Sequence, residues 1–120
     1  MLSLTRTITG DERPKQFCPL VGCETLLEQT RRRVFGMIDS ERTLLVMTRI
    51  HERFFQDLIA EVPPPRLLIQ PQNRGTAPAI LYSLMRIREV ESEGLVAFFP
   101  SDHYFENGAA FVDKIKLAFF

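Results

Sequence analysis

Apolar positions along the chain change period several times, and each change marks an element. Thr25 and Glu28 form a capping-box pair, and Leu27, Val34, Met37 and Ile38 recur at helical spacing behind them. Residues 43–48, TLLVMT, are a short continuous apolar run of the kind that suits a strand covered on both faces. A second helix is predicted from about residue 50 to 60, with Phe54, Phe55, Leu58 and Ile59 inward. Pro63-Pro64-Pro65 is a stiff connector into a second strand at residues 67–69. A polar turn follows, and then a helix pattern with Ala77, Ile80, Leu81, Leu84 and Ile87 on one face. Glu91-Ser92-Glu93-Gly94 stops that helix, and residues 95–99, LVAFF, read as a third strand ended by Pro100. Asn107 or Gly108 opens a last helix, with Phe111, Ile115 and Phe119 along one side. Residues 1–23 carry Gly10, Pro14, Pro19 and Gly22, and read as polar and irregular.

The predicted order is loop, α, β, α, β, α, β, α. Regular alternation argues for a parallel sheet with helices on both faces. Such a domain normally opens on a strand, whereas here a loop and a helix come first. The expectation is therefore a partial α/β domain over residues 1–120 that starts inside its first βα unit and lacks its first strand.

Composition narrows the partners. Length and hydrophobic content fit one globular domain, and a formal charge of zero gives no reason to expect nucleic acid or an anionic membrane. Cys18 and Cys23 stand close together with no second pair and no nearby histidine, which suits free thiols better than zinc. No apolar run reaches membrane-spanning length and no signal-peptide pattern opens the chain, so the expected compartment is the cytoplasm. His51-Glu52 lacks the second histidine of a zinc-protease helix. Arg31-Arg32-Arg33 reads as a solvated surface, and Phe98, Phe99, Phe111 and Phe119 read as core.

Ligands of open α/β sheets bind beyond the carboxyl ends of the strands. Three stretches are expected to meet there: the loop bearing Lys15, the turn from Asn73 to Pro78, and the loop bearing Asp102. Asn73, Arg74 and Thr76 supply donors, Gly75 allows a close backbone approach, and Pro78 suits a first helical turn. The start of the following helix offers free N–H groups and a positive dipole end. A cation, a helix N-terminus and a carboxylate in this order suit a nucleotide with its magnesium. Each alone has a plainer reading: Lys15 as a solvated loop lysine, Asp102 as a turn cap, His103 as a hydrogen-bonded neighbour.

Taken together, the segments resemble the sugar-1-phosphate nucleotidyltransferases, and among them the mannose-1-phosphate guanylyltransferases. Arg13-Pro14-Lys15-Gln16-Phe17 and Thr25-Leu26-Leu27-Glu28-Gln29-Thr30 look like that family's P-K-Q-F segment and S-L-L-Q-x-T helix. Residues 73–80 are similar to G-R-N-T-A-P-A-I, and Phe99-Pro100-Ser101-Asp102-His103 looks like L-P-S-D-H. The resemblance implies a Rossmann-like fold and transfer of GMP from GTP to mannose 1-phosphate, giving GDP-mannose and pyrophosphate. It implies that Lys15 contacts phosphate, that Asp102 ligates Mg2+, and that Asn73, Arg74, Gly75, Thr76, Ala77 and Pro78 lie at the nucleotide. The departures are specific. The family's glycine-rich G-G-x-G-T-R-L loop is absent, Leu4-Thr5-Arg6 looks like the residues just after it, and no sugar-binding segment follows residue 103. The chain by itself is therefore expected to be inactive, with an inactive remnant or an interaction module as the other reading and a different sugar 1-phosphate as a third. The sequence leaves the oligomeric state open, a homo-oligomer included.

Overall fold

A computed structural model describes residues 2–119, with side chains from Leu4 onward. The chain forms two compact units. The first runs through Arg42 and resumes at Phe99; the second is Thr43–Phe98.

In the first unit, helix α1 (Leu2–Thr9) occupies part of the stretch expected to be irregular. Its sequence holds three threonines, whose branched, backbone-bonding side chains weaken a helical signal. Tertiary burial overrides that weakness at Thr5, which is 2% exposed. Gly10, with φ +79°, ends the helix, and its N–H donates to the Arg6 carbonyl at 2.9 Å. That left-handed conformation favours glycine and satisfies a carbonyl that the helix leaves open.

Helix α2 (Leu26–Phe35) begins on the expected capping box. The Thr25 hydroxyl accepts from the Glu28 N–H at 3.2 Å, and the Glu28 carboxylate accepts from the Thr25 N–H at 2.8 Å. Gln29 Nε2 donates to the carbonyls of Val21 and Glu24 at 3.1 and 3.2 Å, fastening the preceding loop to the helix. Leu26, Leu27 and Val34 join Phe17 and Cys18 in the core. Met37 and Ile38 lie beyond the helix end, half-buried. The 3₁₀ turn Lys15–Phe17 and α5 (Gly108–Phe119) pack on α2. Asn107 Oδ1 accepts from the Ala110 N–H at 2.9 Å, a cap at the expected place.

The second unit is built on two parallel strands, β1 (Leu45–Thr48) and β2 (Leu67–Gln70), paired Leu45 with Leu67 through Thr48 with Gln70. Parallel strands cannot be joined by a hairpin, so residues 49–66 cross over. The expected helix over 50–60 is instead a broken element: a 3₁₀ turn at Arg49–His51, one turn of α3 (Glu52–Phe55) and a 3₁₀ turn at Asp57–Ile59. No side chain caps α3, and so short a helix has little stability of its own. Burial of Phe55 and Ile59, four residues apart, holds the segment.

Two further expectations give way. Residues 95–99 form no strand among the described residues, because the sheet has two strands and neither pairs with them. An apolar run marks what a strand would bury, but only a neighbouring ladder makes one. Helix α4 (Thr76–Arg88) forms as expected, yet Leu81 is 60% exposed and Leu84 38%, while Ile80 and Ile87 are half-buried. Phe98, expected in the core, is exposed, and Phe99, Phe111 and Phe119 are half-buried. The arrangement is α/β. No helix among the described residues is long and apolar enough to cross a membrane.

Because the capping box starts the helix that organises the first unit, Thr25→Ala is expected to lower unfolding free energy by about 1 kcal/mol. Chemical denaturation of both proteins measures it; an unchanged midpoint would contradict the role given to the cap.

Candidate functional site

Lys15 opens a 3₁₀ turn that is anchored two and three residues further on. Phe17 and Cys18 are buried, and their N–H groups donate to the carbonyls of Pro14 and Lys15, each at 3.0 Å. The turn therefore fixes the Lys15 backbone while its amine reaches the surface. Ahead of it, Arg13 grips Asp11 in a fork, Nε to Oδ1 and Nη2 to Oδ2, both at 2.7 Å. Arg13 Nη1 also lies 3.5 Å from the Phe17 carbonyl, tying the fork to the turn. The Thr9 hydroxyl lies 3.0 Å from Asp11 Oδ1 and 2.8 Å from the Thr5 carbonyl, which joins the end of α1 to the same carboxylate. The Arg13 hydrogen bonds hold the Asp11 carboxyl well below the usual carboxylate range; partial desolvation opposes them and the Thr9 bond adds to them.

Asp102 Oδ2 meets Lys15 Nζ at 2.8 Å, a direct contact between two expected site residues far apart in sequence. The side chains are 29% and 35% exposed, so the pair is neither fully buried nor fully solvated. The other Asp102 oxygen lies 3.6 Å from His103 Nε2, and the His103 side chain is mostly exposed.

The loop carrying Asp102 is held by Arg33, a residue that the sequence reading placed on a solvated surface. Arg31 and Arg32 fit that reading in part: Arg31 lies over the Phe35 ring at 5.6 Å, and Arg32 pairs with Glu24 at 2.9 Å in the open. Arg33 does not. It is half-buried, its Nη2 donates to Thr30 Oγ1 at 2.8 Å and to the His103 carbonyl at 3.2 Å, and its guanidinium carbon lies 4.9 Å from the Phe105 ring centroid and 5.9 Å from that of Phe111. Those rings stand 4.2 Å apart, and Phe99 meets Phe111 edge-on at 6.2 Å. Burial, and next the Arg32 charge, lowers the Arg33 pKa from its ordinary value. The signal in the sequence was slight: a threonine three residues before an arginine on one helical face.

The Asn73–Pro78 turn belongs to the second unit. Asn73 Oδ1 accepts from the Gly75 N–H at 3.0 Å, a local side-chain turn, and Arg74 Nη2 lies 3.4 Å from Gln72 Oε1. Gly75, with φ +92° and ψ −178°, stands at the N-cap of α4 in a conformation reserved almost wholly for glycine. Having no side chain, it leaves the first-turn N–H groups uncapped. Thr76 and Ala77 are the first two helical residues and Pro78 the third, where a missing N–H costs no helical bond. All six residues are exposed.

No cluster of three or more His, Cys, Asp and Glu side chains suited to a metal ion occurs among the described residues. Asp102 alone is a poor cage but a fitting ligand for magnesium, which usually takes one or two carboxylates and completes its shell with substrate phosphates and water. Both cysteines are free, Cys18 buried and Cys23 exposed, and burial raises the Cys18 thiol pKa.

Comparison with known proteins gives the family. The family model described as nucleotidyl transferase matches residues 5–118, and the chain belongs to that family. It is 31% identical over 107 residues to the alginate biosynthesis protein AlgA of Pseudomonas aeruginosa, and 28% identical over 113 residues to the xanthan biosynthesis protein XanB of Xanthomonas campestris. It is 29% identical over 109 residues to mannose-1-phosphate guanylyltransferase 2 of Escherichia coli O157:H7. These alignments take in 88%, 92% and 88% of the chain, but 22%, 24% and 22% of the relatives. No solved structure matches the chain significantly.

The depressed Asp11 pKa fixes a sign. A carboxyl whose folded pKa lies below its unfolded value of about 3.9 stabilises the fold above that value, and the contribution is lost as pH falls through the folded pKa. Asp11→Asn is therefore expected to be less stable than the parent at about pH 7, with the gap narrowing steadily below about pH 4. Urea unfolding across that range tests it; a gap that widened in acid would oppose the assignment.

Proposed function

We propose that this chain supplies phosphate and magnesium contacts for a guanylyltransferase that joins GTP and mannose 1-phosphate into GDP-mannose and pyrophosphate. The observation that carries the reading is the Lys15–Asp102 pair at 2.8 Å, within a chain of the nucleotidyl transferase family. The names of the relatives point to mannose and guanine.

In the reaction, a phosphate oxygen of mannose 1-phosphate attacks the α-phosphorus of GTP in line. A new P–O bond forms, the bond to the β-phosphate bridging oxygen breaks, and pyrophosphate leaves with the electron pair. Lys15 gives up Asp102 as its partner and takes phosphate oxygens, holding charge that grows in the transition state. Asp102, freed of the amine, is the carboxylate that would hold magnesium. When bound, the metal neutralises phosphate charge. Asn73, Arg74, Gly75, Thr76, Ala77 and Pro78, in the second unit, are the residues that the family resemblance assigns to the nucleotide. His103 needs no proton-transfer role, since the attacking phosphate is already an anion.

A second reading has its own observation. Leu81 and Met85 on α4 are 60% and 61% exposed, and Leu95 is 78% exposed, as suits a non-catalytic interaction module. Ligand-dependent melting separates the two. The 120-residue chain is expected to melt cooperatively and to gain stability selectively from Mg-GTP over Mg-ATP, a gain lost in Lys15→Ala. No response to either nucleotide would favour the interaction module. Lacking the family's glycine-rich loop, the chain alone is expected to release no pyrophosphate from GTP and mannose 1-phosphate above the Lys15→Ala background. Release above it would overturn that expectation.

A further inference from the structure

We infer that Arg33 is a positioning residue for Asp102, setting the carboxylate where it can meet a nucleotide-bound magnesium; the inference rests on the function proposed above. The two halves of the Lys15–Asp102 pair lie 87 residues apart in sequence and are brought together through one helix, α2. The turn of Lys15 packs directly on α2. Ser101 and Asp102 form a turn, but residues 103–105, which follow it toward α5, have no regular structure.

What holds that loop is the Arg33 side chain. Its Nη2 reaches the carbonyl of His103, the residue next to Asp102, at 3.2 Å. The same nitrogen is registered on α2 through Thr30 Oγ1 at 2.8 Å. The face of the guanidinium lies near Phe105, three residues after Asp102, and Phe111 of α5. The loop is thus gripped on the carbonyl just after the carboxylate and again on the ring that follows. The stem of Arg33 also runs beside the start of α5, 3.5 Å from where a Gly108 side chain would begin.

A lysine keeps the charge but has neither the planar fork nor the stacking surface. Arg33→Lys therefore separates charge from placement, and Phe105→Leu removes the ring while leaving the charge in place. Arg33 touches neither nucleotide nor metal in this scheme, so its effect must travel through Asp102. Loss of placement should appear in the magnesium-dependent part of nucleotide affinity and nowhere else.

The test measures GTP binding to the 120-residue chain by calorimetry, with excess magnesium and with excess chelator, for the parent, Arg33→Lys, Phe105→Leu, Asp102→Asn and the double variant Arg33→Lys with Asp102→Asn. Arg33→Lys is expected to weaken Mg-GTP binding roughly tenfold or more, as loss of a ligand's supporting contact does. Binding in chelator should be unchanged, and the double variant should be no weaker than Asp102→Asn. Phe105→Leu should weaken Mg-GTP in the same magnesium-dependent way, and it carries the test if Arg33→Lys does not melt cooperatively. If Asp102→Asn weakens Mg-GTP while Arg33→Lys and Phe105→Leu do not, the inference falls and the proposed function stands. An equal loss with and without magnesium, or loss of cooperative melting in both variants, marks a purely structural role and also overturns it. If Asp102→Asn itself leaves Mg-GTP binding unchanged, the proposed site fails, and this inference with it.

Discussion

A guanidinium keeps its charge inside a protein, so a half-buried arginine must be met by acceptors and ring faces or be expelled. That constraint shapes the first unit. Arg33 leaves α2 between Thr30, the His103 carbonyl and the rings of Phe105 and Phe111, and each of these is drawn toward it. Cation–π contacts are worth ~0.5–2 kcal/mol depending on exposure, and hydrogen bonds to a charged donor about 1.5–3 kcal/mol. These contacts converge where α2 packs against α5.

The same unit handles a second cation differently. Arg13 is clasped by Asp11 in a two-point fork and also reaches the Phe17 carbonyl, so it is committed to structure. Lys15, two residues on, meets Asp102 through a single atom pair. A bidentate guanidinium pair is specific and slow to give way, whereas an ammonium is a point charge that changes partners readily. The sequence thus places an arginine where the chain must be fixed and a lysine where the cation faces an exchangeable carboxylate.

Much of this was legible in advance. The capping box at Thr25 and Glu28 and the helix after Gly75 follow from local chemistry, and the parallel strands around residues 45 and 67 from the alternation of elements; each formed. Arg33 was not legible, because three consecutive arginines on a helix look alike until the partners of each are known, and apart from Thr30 its partners lie some 70 residues away. Helix α1 was hidden by its threonines, and the break in the 50–60 helix by a run of apolar residues that counts as helical on period alone. Residues 95–99 show the limit most directly. Their apolar character is a fact of sequence, but pairing is a relation between segments, and the described residues contain no partner ladder for them.

The geometry of the Lys15–Asp102 pair also bears on how the proposed ligand would be received. A phosphate approaching Lys15 alone would confront the Asp102 carboxylate, an anion within hydrogen-bonding distance of the same amine. A metal ion approaching Asp102 alone would confront the ammonium. Each approach is opposed by like charge, and each relieves the other, because a nucleotide carrying its magnesium presents an anion to the lysine and a cation to the carboxylate at once. One ion pair is then replaced by two with no charge left unmatched. On this reading the pair discriminates against free phosphate and free metal by electrostatics alone, and the discrimination is only as sharp as the placement of the carboxylate. The two charges and the grip on the Asp102 loop would then act together in the proposed selectivity.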